Sequence, residues 1–275
     1  MTATLLKHEW LRTRSMLGTI AGVAGVLVVL GSALSATRWP LISTIGAYAV
    51  LVTISALVPA VQLALAVDYW RSSYGRVGYF TQTLPVPGPT IFRAKLLWAL
   101  IATVGTLVWM VILAALAWPG AARGMGYAEL NPFAAFAAAW AETMASVPAW
   151  QVLIGALVAL VLGVFIWPVQ YYFAASIGSE EPRNRLGAGG PVLVWVGLYV
   201  VSQLLVLAFL LAVPLGLGTV DSGGLGIVSY APLSELTSGN PQDIMPLGII
   251  PGLALIGAAC LWLTVRSWRH KVSLV

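Results

Sequence analysis

The sequence predicts an all-α integral membrane protein, a single transmembrane domain over residues 1–275 with six membrane-spanning helices. Hydrophobic residues make up 60% of the chain and charged residues only 8%, far below the roughly 25% charged residues of a soluble domain. Apolar runs of about 20 residues recur, and each is long enough to cross a ~30 Å hydrocarbon core as a helix. A soluble fold is excluded because too few polar residues remain to cover its surface.

Residues 1–16 predict a short helix that lies in the membrane interface. Apolar side chains including Trp10 follow one helical stripe, and charged residues such as Arg12 and Arg14 take the other sides. We expect Trp10 to sit at headgroup depth and the two arginines to anchor the helix there. The alternative is a basic tail that only fixes the orientation of the first span.

Six apolar runs define the predicted spans. They cover residues 17–36, 41–67, 96–118, 152–177, 192–215 and 246–265. The apolar core of the first run is too long for a cleavable signal peptide, so we expect an uncleaved helix. Pro59 and Pro168 lie inside the second and fourth spans, where neighbouring helices can satisfy the carbonyl groups that proline leaves without a partner. Pro119 and Gly120 are expected to end the third span.

Two further segments, 121–149 and 216–245, are expected on the outer side of the membrane. Within the first, residues 133–147 are apolar but too few to span, and they include Glu142, which predicts an interfacial or re-entrant helix. The second segment is Gly-rich and contains acidic residues but no Lys or Arg. The alternative is a seven-span arrangement in which 133–147 crosses the membrane and buries Glu142.

Positive charge is concentrated on one side of the six-span arrangement. The basic residues on that side are Lys7, Arg12, Arg14, Arg71, Arg76, Arg93, Lys95, Arg183, Arg185, Arg266, Arg269 and Lys271. Only Arg38 and Arg123 fall on the other side. The positive-inside rule then places both termini and the loops at 68–95 and 178–190 in the cytoplasm. Because the basic residues flank apolar runs, we expect no nucleic-acid partner despite the net charge of +5.

The predicted spans contain no Asp, Glu, Lys, Arg or His well inside them. Ion-coupled transporters usually need such groups within the membrane, so a self-powered transporter is disfavoured. No G-x-x-x-x-G-K-[ST] phosphate-binding loop is present. His8 and His270 are isolated in sequence, and no nucleophile and base stand together. We therefore expect no catalytic residues, no metal site and no cofactor in this chain.

The polar, basic and aromatic stretch 68–95 separates the second and third spans. Asp68 ends the second span, and residues 71–82 predict a short helix or turn and helix with aromatic side chains. Gly75 and Gly78 lack side chains, so another backbone could approach them closely. Three prolines within 84–89 cannot continue a helix and predict a stiff elbow.

The helix after this elbow is expected to start at Thr90. Its hydroxyl is a plausible N-cap, since threonine can accept a hydrogen bond from the first-turn amides. Arg93 and Lys95 follow within the first turns and are expected to anchor the helix at the membrane interface.

A stiff, aromatic cytoplasmic elbow favours a docking surface for a protein partner. Exposed aromatic residues and arginines are typical anchors of protein interfaces, and rigid prolines transmit a displacement. The predicted docking residues are Arg71, Tyr74, Gly75, Arg76, Gly78, Tyr79, Phe80, Leu84 and Pro85. The alternative is a plain connecting loop held at the membrane by its positive charge.

The same stretch carries the pattern Tyr-Gly-x-x-Gly-Tyr-x-x-x-x-Leu-Pro-Val at 74–86, with Lys95 nine residues beyond it. Together with the amphipathic N-terminal segment and the six spans, it resembles the type-2 permease subunits of bacterial ABC exporters. The resemblance implies that the loop holds a coupling helix that seats in a cytoplasmic ABC ATPase. It also implies two ATPase copies, which bind ATP and Mg²⁺, and a second permease chain, identical or homologous. It implies the bacterial inner membrane as well.

The function we expect is that of a membrane-spanning subunit of an ATP-driven exporter. Weakly polar spans suggest an amphipathic or apolar substrate such as a peptide, a drug or a lipid-like molecule. Two alternatives remain open: an ion-coupled secondary transporter, and a non-transporting membrane anchor or sensor for a soluble partner. In the family the re-entrant outer elements lie between the fifth and sixth spans, so either 121–149 or 216–245 could cap the pathway.

Overall fold

The fold of this chain is largely helical. In a computed structural model, described for residues 2–75, 78–83, 85–219, 225–232 and 244–270, the helices are α1 (Thr2–Ser35), α2 (Pro40–Ser73), α3 (Gly78–Gln82), α4 (Gly88–Met125), α5 (Pro132–Ser146), α6 (Ala149–Val161), α7 (Trp167–Gly178), α8 (Gly189–Ala212) and α9 (Ile249–His270). Among these residues, six helices are long and apolar enough to cross a membrane, with Ala149–Gly178 counted as one. The six-helix architecture of a multi-pass membrane protein is confirmed.

The first helix is longer than the sequence predicted. α1 runs without interruption from Thr2 to Ser35, so a separate helix over 1–16 and a new start at residue 17 are wrong. Proline, which would break the ladder of backbone hydrogen bonds, is absent from this stretch. A side-chain hydrogen bond crosses the expected boundary within the helix, since the Thr19 hydroxyl donates to the Ser15 carbonyl.

The third spanning helix also exceeds its predicted bounds at both ends. α4 begins at Gly88, so Thr90 lies inside the first turn and is not the N-cap. It continues through Pro119 and Gly120 to Met125, because a Pro-Gly pair inside a packed helix need not end it. A Cβ on Gly120 would lie only 2.2 Å from the Ser32 carbonyl oxygen. The glycine therefore permits close approach of α1 and α4.

The described chain divides into two compact units, and the first comprises Met1–Tyr69 and Thr90–Glu142. Its apolar core joins α1, α2 and α4 through Ala24, Val28, Val50, Leu57, Leu113 and Ala117. The helices α1 and α2 are in close contact at Gly46, where a Cβ would lie 2.5 Å from the Gly31 carbonyl oxygen. Small residues at such a crossing are typical of helix packing in membranes.

The second unit comprises Trp70–Pro89 and Thr143–Val275. Here α7 packs against α8 and α9. A π-helical turn over Leu162–Ile166 joins α6 to α7 just before Pro168. A π-bulge is one of the local adjustments that accommodate a break in the hydrogen-bond ladder. Gly178 and Gly190 bring α7 and the start of α8 into close backbone contact.

A small antiparallel sheet follows α8, so the fold is not all-α as the sequence predicted. Its strands are β1 (Leu215–Thr219), β2 (Leu225–Ser229) and β3 (Met245–Pro246), in the order β2-β1-β3. The sheet begins at Leu215, and the flanking helices accordingly end at Ala212 and begin at Ile249. The Leu-Gly alternation of β1 has the two-residue period of a strand, which the glycine content had obscured.

The segment between α4 and α6 forms a short helix, as predicted. α5 has 15 residues and is not among the six helices that could span a membrane within the described part of the chain. Asn131 caps it, because its side-chain oxygen accepts a hydrogen bond of 2.9 Å from the Phe133 amide. Glu142 is exposed at the surface of the protein, in keeping with the six-span arrangement.

Candidate functional site

The stretch between α2 and α4 contains a tight chain reversal and a short helix. α2 extends to Ser73, beyond the predicted end of the second span, so Arg71 belongs to its last turn. A turn at Tyr74 and Gly75 follows, and only Gly78–Gln82 forms a separate helix. Residues 85–87 are not helical and lead into α4. The predicted helix over 71–82 is thus two elements. Residues 85–87 fit the predicted elbow because they are not helical, whereas Gly88 and Pro89 already belong to the first turn of α4.

The two glycines of this stretch serve the turn itself. The amide of Gly78 donates a 2.8 Å hydrogen bond to the Gly75 carbonyl. A Cβ on Gly78 would lie 2.7 Å from the Ser73 carbonyl oxygen, and a Cβ on Gly75 would lie 2.8 Å from that of Arg71. The backbone that approaches these glycines therefore belongs to the same segment. The sequence predicted that another backbone could approach Gly75 and Gly78 closely. In the structure, the preceding residues Arg71 and Ser73 make this approach.

The C-terminal end of α9 lies against the same segment. The rings of Tyr74 and Trp268 are 5.8 Å apart between centroids. A Cβ on Gly88 would lie 2.7 Å from the Trp268 carbonyl oxygen, so α4 begins in close contact with α9. Thr81 ties α3 back to α2 by donating a 2.7 Å hydrogen bond to the Ser72 carbonyl. The segment is therefore fixed at three places within its own unit.

The outer face of this segment is aromatic and basic. Tyr79 is 57% exposed, and Arg71 and Pro85 are exposed as well. Tyr74, Gly75 and Gly78 instead form the framework behind this face. Arg76 and Leu84 lie outside the described residues, as does the side chain of Phe80. We call residues 71–85 the coupling segment (71–85). Its exposed face consists of Arg71, Tyr79 and Pro85.

A network of charged side chains lies in the first unit, at the ends of α1, α2 and α4. Lys95 donates a 2.9 Å hydrogen bond to Oε1 of Glu9. Arg12 pairs with the other carboxylate oxygen of Glu9 and, at 2.6 Å, with Oδ2 of Asp68. Two cations and two anions thus cancel within the network. A buried charge is stable only with such compensation, and Lys95 is only 2% exposed.

Two tryptophans surround this network. The indole N–H of Trp98 donates a 3.0 Å hydrogen bond to the Thr13 hydroxyl, which itself donates to the Glu9 carbonyl. Trp10 contacts the edge of Trp98 with 5.6 Å between ring centroids, a favourable aromatic geometry. Thr13 is only 1% exposed, so its hydrogen bond with Trp98 lies in the contact between α1 and α4. The bond fixes the position of α1 along α4.

The predicted interfacial anchors separate into two groups. Trp10, Arg14 and Arg93 are exposed, as an anchoring role requires. Lys95 is buried and paired, so its prediction as an interfacial anchor is wrong, and Arg12 belongs to the same network. Sequence reasoning missed Glu9 and Asp68 as the partners of these cations. The available signal was a pair of acidic residues near the ends of two helices, on the side where Lys95 was expected.

In comparisons with known proteins, no family model, no curated protein and no solved structure matches the sequence. Across the part of the chain that the structure describes, no group of three or more His, Cys, Asp or Glu residues could hold a metal ion.

Proposed function

We propose that this chain is the membrane-spanning subunit of an ATP-driven exporter of the ABC class, in the inner membrane of a bacterium. A separate cytoplasmic ATPase docks on the coupling segment (71–85). The observation that carries the proposal is the exposed Tyr79, which lies on α3 directly after the turn where Tyr74 contacts Trp268. Aromatic residues on a rigid support are typical anchors of protein interfaces.

The coupling segment (71–85) can pass a displacement to the spanning helices because it connects two of them directly. α2 enters the segment and α4 leaves it, so a displacement there is passed to both spanning helices. The charged network joins α1 to the same two helices through Glu9, Asp68 and Lys95. Movement of the partner ATPases on binding and hydrolysing ATP would then shift α1, α2 and α4 together. In the assembly we propose, two ATPase copies bind the nucleotide and Mg²⁺, and a second permease chain completes the pathway.

The orientation of the chain supports a cytoplasmic position for this segment. Arg12 and Lys95 are balanced by Glu9 and Asp68, so they contribute little to the charge asymmetry. The remaining ten basic residues on that side still outnumber Arg38 and Arg123 on the other. The positive-inside rule therefore continues to favour cytoplasmic termini.

The lining of a cavity in the second unit supports an amphipathic or apolar substrate. The cavity has a volume of about 310 Å³. Aromatic residues Trp167, Trp195 and Tyr199 share its wall with two glutamines and a serine, and none of its lining residues is charged. Such a surface suits a mostly apolar molecule that has a few hydrogen-bonding groups.

Stimulated ATP hydrolysis in proteoliposomes tests the proposal. The chain is reconstituted with a co-encoded ABC ATPase, and hydrolysis is compared for the wild type, Tyr79→Ala and Tyr127→Ala. Tyr127 is the matched control because it is also 57% exposed. We expect Tyr79→Ala alone to lose stimulation, by roughly tenfold or more, as for an interface anchor. Equal stimulation by all three proteins would contradict docking at this face.

An ion-coupled secondary transporter is the second candidate. The buried pair of Lys95 and Glu9 favours it, because buried ionisable groups in membrane proteins often belong to proton or ion pathways. Proteoliposomes that contain only this chain separate the two candidates. Accumulation of a lipophilic substrate driven by a pH or Na⁺ gradient, without any ATPase, would favour the second candidate and contradict the first.

A further inference from the structure

An apolar groove in the first unit runs along the outside of α1. The part nearest the N-terminus of α1 has a volume of about 360 Å³ and lies between α1, α2 and α4. Its lining includes Trp10, Arg14, Gly18, Trp98 and Gly105. A second hollow of about 380 Å³ continues it along α1, and both share Ala21 and Trp109. The two hollows therefore adjoin each other on the same side of α1.

Missing side chains leave this groove empty. A Cβ built on Gly18, Gly22 or Gly105 would meet no other atom within 4 Å. These positions contrast with Gly31 and Gly46, where a Cβ would collide with a neighbouring helix. Gly18, Gly22 and Gly105 are therefore not needed for contacts inside the unit, and they leave room for something from outside.

The mouth of the groove presents one cation without a counterion. Arg14 is exposed and makes no ion pair with any residue that the structure describes. Its basic neighbours Arg12 and Lys95 are both neutralised by carboxylates. Trp10 is one helical turn from Arg14, lines the same groove and is 49% exposed. An indole beside a guanidinium is suited to a lipid headgroup at the membrane interface.

We propose that this groove binds one anionic phospholipid. The phosphate pairs with the Arg14 guanidinium beside the indole of Trp10, and one acyl chain lies along Gly18, Ala21 and Gly22 towards Trp109. The charge and shape of the groove are both required, since the apolar walls accept the chain and the single cation selects the anionic headgroup. This site does not depend on whether an ATPase docks on the coupling segment.

A second copy of the chain is the competing occupant, because Gly18 and Gly22 have the spacing of a helix-pairing motif. Two copies in one membrane have the same orientation. In a two-fold contact through α1, each residue therefore lies at the same membrane depth as the identical residue of the other copy. Arg14 would then face Arg14 of the other copy, and like charges in contact are unfavourable. A lipid phosphate in the same place is attracted instead.

Native mass spectrometry of the detergent-solubilised full chain tests the site. Phosphatidylglycerol or phosphatidylcholine is titrated into the delipidated protein, and the fraction with one bound lipid is measured. We expect preferential binding of one phosphatidylglycerol. Arg14→Gln should weaken it by about fivefold, the worth of one cation near an anionic lipid surface, whereas Arg93→Gln, an exposed arginine outside the groove, should not.

A second variant tests the shape of the groove independently of its charge. Gly18→Leu should reduce binding of both lipids, and Gly155→Leu, at another open helical position, should leave both unchanged. Equal binding of the two lipids, unaffected by Arg14→Gln, would overturn the proposal. A dimer in the mass spectrum that Gly18→Leu converts to a monomer would also overturn it, in favour of a second copy.

Discussion

Polar side chains have opposite environments in two regions of the molecule. One region is the charged network at Glu9, Arg12, Asp68 and Lys95, and the other is the coupling segment (71–85). In the network each cation has an anion within hydrogen-bonding distance, and Lys95 is almost fully buried. In the coupling segment Arg71 and Tyr79 are exposed, and the close contacts are made by glycines and a buried tryptophan. The network pairs charges between three helices of the chain, whereas the segment leaves an aromatic and a basic side chain exposed.

The contrast predicts a large loss of stability when the network loses its buried cation. Lys95→Met removes the partner of Glu9, whose side chain is only 12% exposed, and an uncompensated buried charge is costly. We expect the free energy of unfolding to fall by about 3 kcal/mol, measured by denaturant titration in detergent micelles.

Arg93→Met is the matched control for this change, since Arg93 lies on the same helix but is exposed. We expect it to alter the free energy of unfolding by less than about 0.5 kcal/mol. The combined change Lys95→Met with Glu9→Gln should recover part of the loss, because no buried charge is then left alone. Equal effects of Lys95→Met and Arg93→Met would show that the network contributes no stability.

A smaller loss is expected when the framework of the coupling segment is strained. Gly78→Ala places a methyl group 2.7 Å from the Ser73 carbonyl oxygen, so the turn must shift. We expect a loss of about 2 kcal/mol in the free energy of unfolding, as for other overpacked sites, together with weaker stimulation of the ATPase. Gly155→Ala, where a Cβ meets no atom, should instead stabilise α6 slightly. A Gly78→Ala protein as stable and as active as the wild type would show that the turn is not a rigid support.

The smallest effect is expected at the exposed edge of the network. The side chain of Arg12 is 34% exposed. Water therefore solvates the guanidinium and weakens its electrostatic attraction to the two carboxylates. Arg12→Gln should lower the free energy of unfolding by about 1 kcal/mol at most, and high salt should reduce the difference from the wild type. A loss as large as that of Lys95→Met would mean that Arg12, rather than Lys95, holds the network together.

Element type and number were predictable where one strong signal dominated. Long apolar runs identified six spanning helices, and the shorter run around 133–147 identified α5 as a helix of a different kind. Prolines were less decisive, since Pro168 does mark a break with a π-helical turn but Pro119 lies within an uninterrupted helix. The outcome at each proline depends on packing by neighbouring helices, which a local pattern does not contain.

The parts that sequence reasoning missed depend on contacts between distant residues. Lys95 finds Glu9 from 86 positions away, and no local pattern distinguishes this pairing from anchoring at the interface. The strands β1 and β3 pair across 25 intervening residues in a Gly-rich stretch, where the usual strand formers are sparse. At 71–85 docking stays a prediction, and the reason for Gly75 and Gly78 required the folded turn, in which each glycine packs against the preceding backbone.

Site-specific photo-crosslinking tests the central claim most directly. A photoreactive amino acid is introduced at position 79, or at position 127 as the equally exposed control, and the chain is reconstituted with a co-encoded ABC ATPase. Docking on the coupling segment predicts a covalent adduct with the ATPase from position 79 only, with a yield that changes when ATP is added. The same adduct yield from both positions, or no adduct from position 79 while the ATPase is stimulated, would contradict the account.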